Sequence, residues 1–401
     1  MRICFVSRRF FPAISGMSVY ALNLLRELTA AGHDVTMVSQ YRGDEFGKRV
    51  YGGGPPPAVP GVRVIGLEQV GEQNGGDFET DVANMKAAIL AEHARMPFDV
   101  IHAQYGYPCG WATMAASRET GVPNVVSIQG GDGHWVGSCC ETHRLAMVRV
   151  LDHAGAVLIG CRSFAQEVVD RLGTDPARFT IVPGAVDVTR FTPGERSATM
   201  LYHGRVDARK GVLDMLDAVH LLAGEGLAFE LLISGIGPTY DATAGRIEEL
   251  GLSEQVRMTG YIDYDEVPSV YRQAGIFVSP TYAEGFSNTI LEAMASRMAV
   301  VSCRSVGVVD CIRDGENGLL TEPGDVRALS AALRRVLMDA ALRDRLANAA
   351  LAECRRVYSW SAVGRQIMQV YATLAGTKPD LDWPVHLPLL PCRFRLEPHL
   401  L

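Results

Sequence analysis

A chain of 401 residues is too long for one hydrophobic core and fits two domains of ordinary size. Its 48% apolar and 21% charged residues describe a folded globular protein and exclude a disordered or fibrous one. A net charge of −7 argues against nucleic acid as a partner and against a strongly anionic membrane surface, although a local basic patch would still allow peripheral docking on a membrane.

Residues 2–7 read as a strand, 19–31 as a helix with Leu22, Leu24, Leu25 and Leu28, and 35–38 as the next strand. That is a βαβ unit, the start of a doubly wound sheet. Its connecting loop ends in Ser15-Gly16 at the helix start, where backbone can approach a phosphate closely. With no secretory signal ahead of the strand and no apolar run long enough to span a bilayer, the expectation is a cytoplasmic protein without a transmembrane segment. Nine cysteines without framework spacing agree with a reducing compartment. Cys139 and Cys140, near His134 and His143, are read as ordinary reduced thiols because their spacing matches no common zinc pattern.

Residues 42–61 contain three glycines followed by three prolines and carry no readable chemistry. A strand at 99–102 ends in His102, and another at 124–128 leads into Gln129-Gly130-Gly131-Asp132-Gly133-His134-Trp135. Ligands of open α/β sheets gather outside the carboxyl ends of strands, so His102 and the loop with Gln129, Asp132 and His134 are expected to face a cleft.

A fresh βαβ pattern begins at 200–205. Arg205 ends the strand and Lys210 precedes the helix, two cations suited to a departing diphosphate. Further strands are read at 229–234, leading to Gly235, at 256–260, leading to Tyr261 and Ile262, and at 276–279. The last runs through Pro280 into a glycine-containing loop and a helix carrying Ile290, Leu291, Met294 and Ala295, with Ser287 or Asn288 placed to cap it. A helix N-terminus carries free N–H groups and roughly half a positive charge, which suits a phosphate. Glu284 and Glu292 frame this turn. Beside a phosphate they make sense as acceptors for sugar and ribose hydroxyls; the plain alternative is two solvated glutamates.

Glu284-Gly285-Phe286-Ser287-Asn288, followed by Leu291-Glu292-Ala293-Met294-Ala295, resembles the two-glutamate motif of retaining GT-B-fold glycosyltransferases of family 4, the group 1 family. Gly204-Arg205 with Lys210-Gly211 resembles the family's phosphate-binding pair, and Pro183-Gly184-Ala185-Val186-Asp187 with Phe191 and Pro193 its interdomain linker. The resemblance implies an α/β protein of two Rossmann-like, doubly wound parallel-sheet domains facing a cleft. Residues 1–192 would form the acceptor-side domain and 193–358 the nucleotide-sugar domain. Residues 359–375 would be a helix crossing back, and 376–401 an appended tail containing Trp383 and Phe394.

The same resemblance implies transfer of a hexose or N-acetylhexosamine from a nucleotide-diphosphate sugar, UDP favoured, to a small-molecule, glycan or lipid-linked acceptor, with retention. It assigns catalysis to Glu284, Arg205 and Lys210. Donor binding would add Gly16, Gly235, Tyr261, Ile262, Gly285, Phe286, Ser287, Asn288 and Glu292, and the acceptor or sugar side would take His102, Gln129, Asp132 and His134. No metal and no cofactor beyond the donor are expected. The chain departs from the family pattern at Ser15, at Val306 and at Gln129, which stands where relatives carry a histidine. These departures keep two alternatives open, a non-catalytic sugar-nucleotide-binding subunit and a GT-B sugar-nucleotide epimerase.

Overall fold

The computed structural model describes residues 1–45, 52–194 and 197–392, so Phe394 lies outside the described residues. The chain divides into two compact units, Met1–Pro183 with Val363–Leu401, and Gly184–Ala362. The first division falls ahead of the Thr192 expected from sequence. The linker segment packs on the second unit: Val186 N donates to Tyr358 O at 2.8 Å, and the Phe191 ring meets Tyr271 edge-on at 5.4 Å.

The first unit holds a parallel sheet of seven strands in the order β3-β2-β1-β4-β5-β6-β7. They are β1 (Arg2–Ser7), β2 (Asp34–Tyr41), β3 (Val62–Glu68), β4 (Val100–Gln104), β5 (Asn124–Ile128), β6 (Ala156–Ile159) and β7 (Phe179–Ile181). β1, β4 and β5 are buried along their whole length, as strands covered on both faces must be. The main covering helices are α1 (Gly16–Ala30), α2 (Phe78–Arg95), α3 (Trp111–Thr120), α4 (Glu141–His153) and α5 (Arg162–Leu172). α1 starts where Ser15 accepts from Ser18 N at 3.2 Å, and it buries Ala21, Leu24, Leu25 and Leu28.

The second unit repeats the plan with six parallel strands in the order β10-β9-β8-β11-β12-β13. They are β8 (Met200–His203), β9 (Leu231–Ser234), β10 (Val256–Gly260), β11 (Ile276–Ser279), β12 (Ala299–Cys303) and β13 (Leu319–Thr321). Its main helices are α6 (Val212–Gly224), α7 (Tyr240–Glu249), α8 (Asn288–Ala295), α9 (Val326–Met338) and α10 (Ala340–Val357). Met215, Leu216, Leu222 and Leu333 from α6 and α9 fill one core cluster; Leu291, Met294 and Cys354 from α8 and α10 fill another. Burying each leucine-sized side chain contributes about 1.5–3 kcal/mol against conformational entropy.

α11 (Trp360–Leu374) then returns the chain to the first unit, where Gly155 and Leu374 pack together. In both sheets strand order reverses at one seam, between β1 and β4 and between β8 and β11. Such a switch point leaves a crevice outside the carboxyl ends of the two strands.

Candidate active site

The second unit's seam lies between β8 and β11, which pair in register at Met200–Ile276 and Leu201–Phe277. From their carboxyl ends leave the 204–211 and 280–287 loops, and the fold stitches these together. Tyr282 N donates to Arg209 O at 3.0 Å. Gly211, at φ +67°, lies so close to the Pro280 carbonyl that a Cβ there would come within 2.1 Å of its oxygen. Lys210 Nζ reaches Glu284 Oε1 at 2.6 Å. Gly307, at φ +80°, leaves room for the Glu284 carbonyl, which an added Cβ would approach to 2.3 Å.

Arg205 and Arg209 both turn to Asp207, at 3.4 and 3.0 Å. Burial alone would raise the Asp207 carboxyl, but hydrogen bonds from the Arg209 side chain and backbone and the charges of Arg209 and Arg205 hold it below its ordinary value. Asp207 therefore stays ionised and keeps two guanidinium groups gathered beside Lys210. Asp207 and Arg209 went unread in the sequence; an aspartate two residues from each of two arginines was the available signal.

Ser287 occupies the N-cap position of α8, yet its hydroxyl makes no capping bond and lies 3.2 Å from Thr289 Oγ1 instead. Phe286 packs its ring 5.7 Å from Tyr358 and tight against Gly184. Glu292 is half-buried one turn into α8, its Oε2 accepting from Tyr271 OH at 2.7 Å. Burial pushes this carboxyl up to about 7, against the lowering pull of Tyr271 and Arg190. Gly235, at φ +129°, fits against the Gly204 carbonyl, where a Cβ would meet the oxygen at 1.9 Å; it closes the seam between β8 and β9. Tyr261 is exposed beyond β10, whereas Ile262 packs on the core near Tyr271.

In the first unit Gly16 is the exposed first residue of α1. At the β1–β4 seam Ser7 Oγ donates to Gln104 Oε1 at 2.8 Å, and Gln104 Nε2 lies 2.8 Å from Gln129 Oε1. Gln129 is thus half-buried at the carboxyl edge of the sheet with its carbonyl already engaged.

The other acceptor-side expectations need correction. His102 is fully buried, its Nδ1 2.5 Å from Tyr371 OH on α11 and its Nε2 2.7 Å from Ser127 Oγ. Burial drops its imidazole to about 3, so it is neutral and structural. Asp132 is fully buried too: Oδ1 accepts from Gln129 N and Gly130 N, and Oδ2 from Gly106 N at 2.9 Å. It shapes the loop that carries Gln129 and has no face left for a sugar. His134 lies buried between Phe164, at 4.4 Å, and Trp135, with Glu167 Oε1 3.0 Å from its Nδ1.

Two parallel-sheet Rossmann-like units, with three cations and a helix N-terminus at the second unit's switch point, define a protein of the GT-B fold. The model for glycosyl transferases group 1 matches residues 189–352, and that for the glycosyl transferase 4-like domain matches 15–185. The chain belongs to the group 1 glycosyltransferase family, and it is a glycosyltransferase that uses a nucleotide-sugar donor.

Among curated relatives it resembles a glycogen synthase of Mycobacterium tuberculosis, 27% identical over 97% of this chain and 98% of the relative. It also resembles a D-inositol 3-phosphate glycosyltransferase of Corynebacterium glutamicum, 24% identical over 92% and 96%. In structure it resembles sucrose-phosphate synthase from Thermosynechococcus elongatus, with a TM-score of 0.77 at 22% identity, covering 93% of this chain and 98% of that one. The Anabaena HepE protein in complex with UDP and glucose gives 0.74 at 16%, covering 93% and 100%. Among the described residues no helix is long and apolar enough to cross a membrane.

Proposed function

We propose that this chain transfers a hexose or N-acetylhexosamine from a nucleotide-diphosphate sugar, with UDP as the favoured nucleotide, to an acceptor hydroxyl with retention of anomeric configuration. The observation that carries the reading is the Lys210–Glu284 ion pair of 2.6 Å at the β8–β11 seam, with Arg205 close by. An arriving diphosphate competes for Lys210 and releases Glu284 to accept the hydroxyls of the donor sugar. As the glycosidic bond breaks, its electron pair passes to the diphosphate, whose growing charge Arg205, Lys210 and the N-terminus of α8 stabilise. The leaving phosphate oxygen takes the acceptor proton while the new bond forms on the same face. Glu292 receives the ribose hydroxyls. Gly235, Tyr261 and the backbone of Gly285, Ser287 and Asn288 complete the donor side, and Gly16 and Gln129 serve the sugar or acceptor side.

The preference for UDP is supported by the UDP complex of the Anabaena neighbour. A cytoplasmic setting belongs to the same reading, supported by nine cysteines of which none is in a disulfide. A second reading, a non-catalytic sugar-nucleotide-binding subunit, is favoured by one observation, the engagement of Gln129 with Gln104 where relatives carry a histidine.

Proton NMR of the purified protein with UDP-, GDP- and ADP-sugars separates the two. Slow donor hydrolysis that first releases sugar of the donor's own anomeric configuration supports retaining transfer; the opposite anomer overturns it. Thermal stabilisation by a nucleotide sugar without turnover, in the presence of a panel of sugar and polyol acceptors, selects the binding subunit.

A further inference from the structure

The strongest unexplained cluster lies in the first unit, among residues given no part in the donor or acceptor machinery. Cys139 and Cys140 end the loop before α4, with Cys140 at its N-cap position, and His143 stands in its first turn. The tail past α11 crosses the same region. Arg118 donates to Leu381 O at 2.7 Å, Arg149 to His386 O at 2.7 Å, and His153 pairs with Asp380 at 2.8 Å. Trp383 packs on Trp111 with ring centroids 5.2 Å apart, and Thr142 Oγ1 bonds Pro388 O and accepts from Leu390 N. This zipper delivers Cys392 to the pair of cysteines.

The resulting geometry is that of a small polyhedron of soft ligands. His143 Nδ1 lies 2.8 Å from Cys139 Sγ and 3.5 Å from the sulfurs of both Cys140 and Cys392. Cys139 Sγ lies 4.0 Å from Cys140 Sγ and 3.5 Å from Cys392 Sγ, and all four ligand atoms fall within 4.8 Å of one another. A tetrahedral zinc ion with ordinary bond lengths would hold sulfurs about 3.8 Å apart and sulfur and nitrogen about 3.5 Å apart. The His143 ring is buried and braced by Tyr107 at 4.8 Å and Phe78 at 5.8 Å, which fixes the direction of Nδ1. A disulfide between Cys139 and Cys392 is the simpler covalent alternative, but it would leave unexplained why one imidazole nitrogen faces all three sulfurs.

We propose that Cys139, Cys140, His143 and Cys392 form a closed Cys3His site for zinc that clasps the C-terminal tail onto α4. Four protein ligands leave no open position, so the ion is structural and takes no part in sugar transfer. Its binding releases the thiol protons and ties tail docking to metal supply. This replaces the reading of Cys139 and Cys140 as ordinary thiols. Cys392 is 249 residues from His143, beyond the reach of any local spacing rule.

The test is metal analysis of the full-length, tag-free protein from zinc-supplemented cells. Wild type should hold about one zinc per chain after dialysis, and cobalt exchange should give the visible bands of a tetrahedral thiolate site. Cys140→Ser and Cys392→Ser should each lose the metal to a chelator that wild type withstands, whereas Cys354→Ser, in the second unit, should keep it. Chelation should also open the 376–392 segment to limited proteolysis. Wild-type protein without zinc that gives no tetrahedral cobalt spectrum overturns the proposal. So does a mass lower by two hydrogens with the Cys139–Cys392 disulfide mapped.

Discussion

Lys210 and Glu284 are 74 residues apart in the chain and 2.6 Å apart in the fold. They meet because β8 and β11 are neighbours across the reversal of strand order, and each residue leaves the carboxyl end of its strand. The pair is a latch between two loops.

Arg205→Ala and Lys210→Ala should lower kcat by about 10²–10³-fold each, because their contacts strengthen as charge builds on the leaving diphosphate. The donor KM should change far less. Initial-rate kinetics of donor consumption check this; a large KM effect at unchanged kcat would mean that the cations only bind the ground state.

Gly307→Ala should disable the site from outside it. The new Cβ would meet the Glu284 carbonyl at 2.3 Å, and the backbone is already at φ +80°. The Glu284 loop must move, so activity should fall by at least about 10²-fold, as misplacement of about 1 Å can do, while the far-ultraviolet dichroism stays that of wild type. Wild-type activity in this variant would show that the loop tolerates displacement.

Glu292 predicts a pH dependence. Its folded carboxyl sits near 7 against an ordinary 4.5, so between those values the folded protein holds a proton that the unfolded chain has released. Stability from this group is therefore full below about 4.5 and falls as pH rises to about 7. The loss is on the order of 1–3 kcal/mol after discounting for water at the half-buried group. Urea titrations of Glu292→Gln should lack that slope. Glu292→Ala should also raise the donor KM through lost ribose contacts; an unchanged KM would remove Glu292 from the donor side.

His102 predicts the opposite slope. Burial holds it neutral, down at about 3 against 6.5, so the unfolded chain gains a proton below 6.5 that the folded protein refuses. Its contribution is complete above 6.5 and is lost as pH falls toward 3. His203, lowered to about 4, adds to the same trend. His102→Gln should flatten the acid limb of the stability curve while the donor KM stays within about twofold of wild type. A large KM change would return His102 to the ligand side.

The second unit was the more legible half. Strand, loop and helix follow one another locally around Glu284, and Arg205 and Lys210 sit five residues apart on one loop. The first unit was harder to read because β4 and β5 are buried on both faces, so alternation along 100–104 does not say which way His102 points. Its true partner, Tyr371, is 269 residues away. Asp132 is expected at the ligand from its place after a strand end and its match to the family pattern, but the N–H groups of Gln129, Gly130 and Gly106 take its carboxylate into an internal turn. Of Ser287 and Asn288, the two expected caps, Ser287 holds the N-cap position, but its hydroxyl pairs with that of Thr289 and not with a backbone N–H.

Val186 bridges to Ser359, so the two strands of chain that join the second unit to the first leave it side by side. The second unit is therefore topologically a cassette, inserted into a host whose own chain begins before it and resumes after it. One nick in either crossing leaves the two halves covalently attached through the other. An exchange of cassettes between relatives needs only two neighbouring splice points, which lets the second unit change without rebuilding the first.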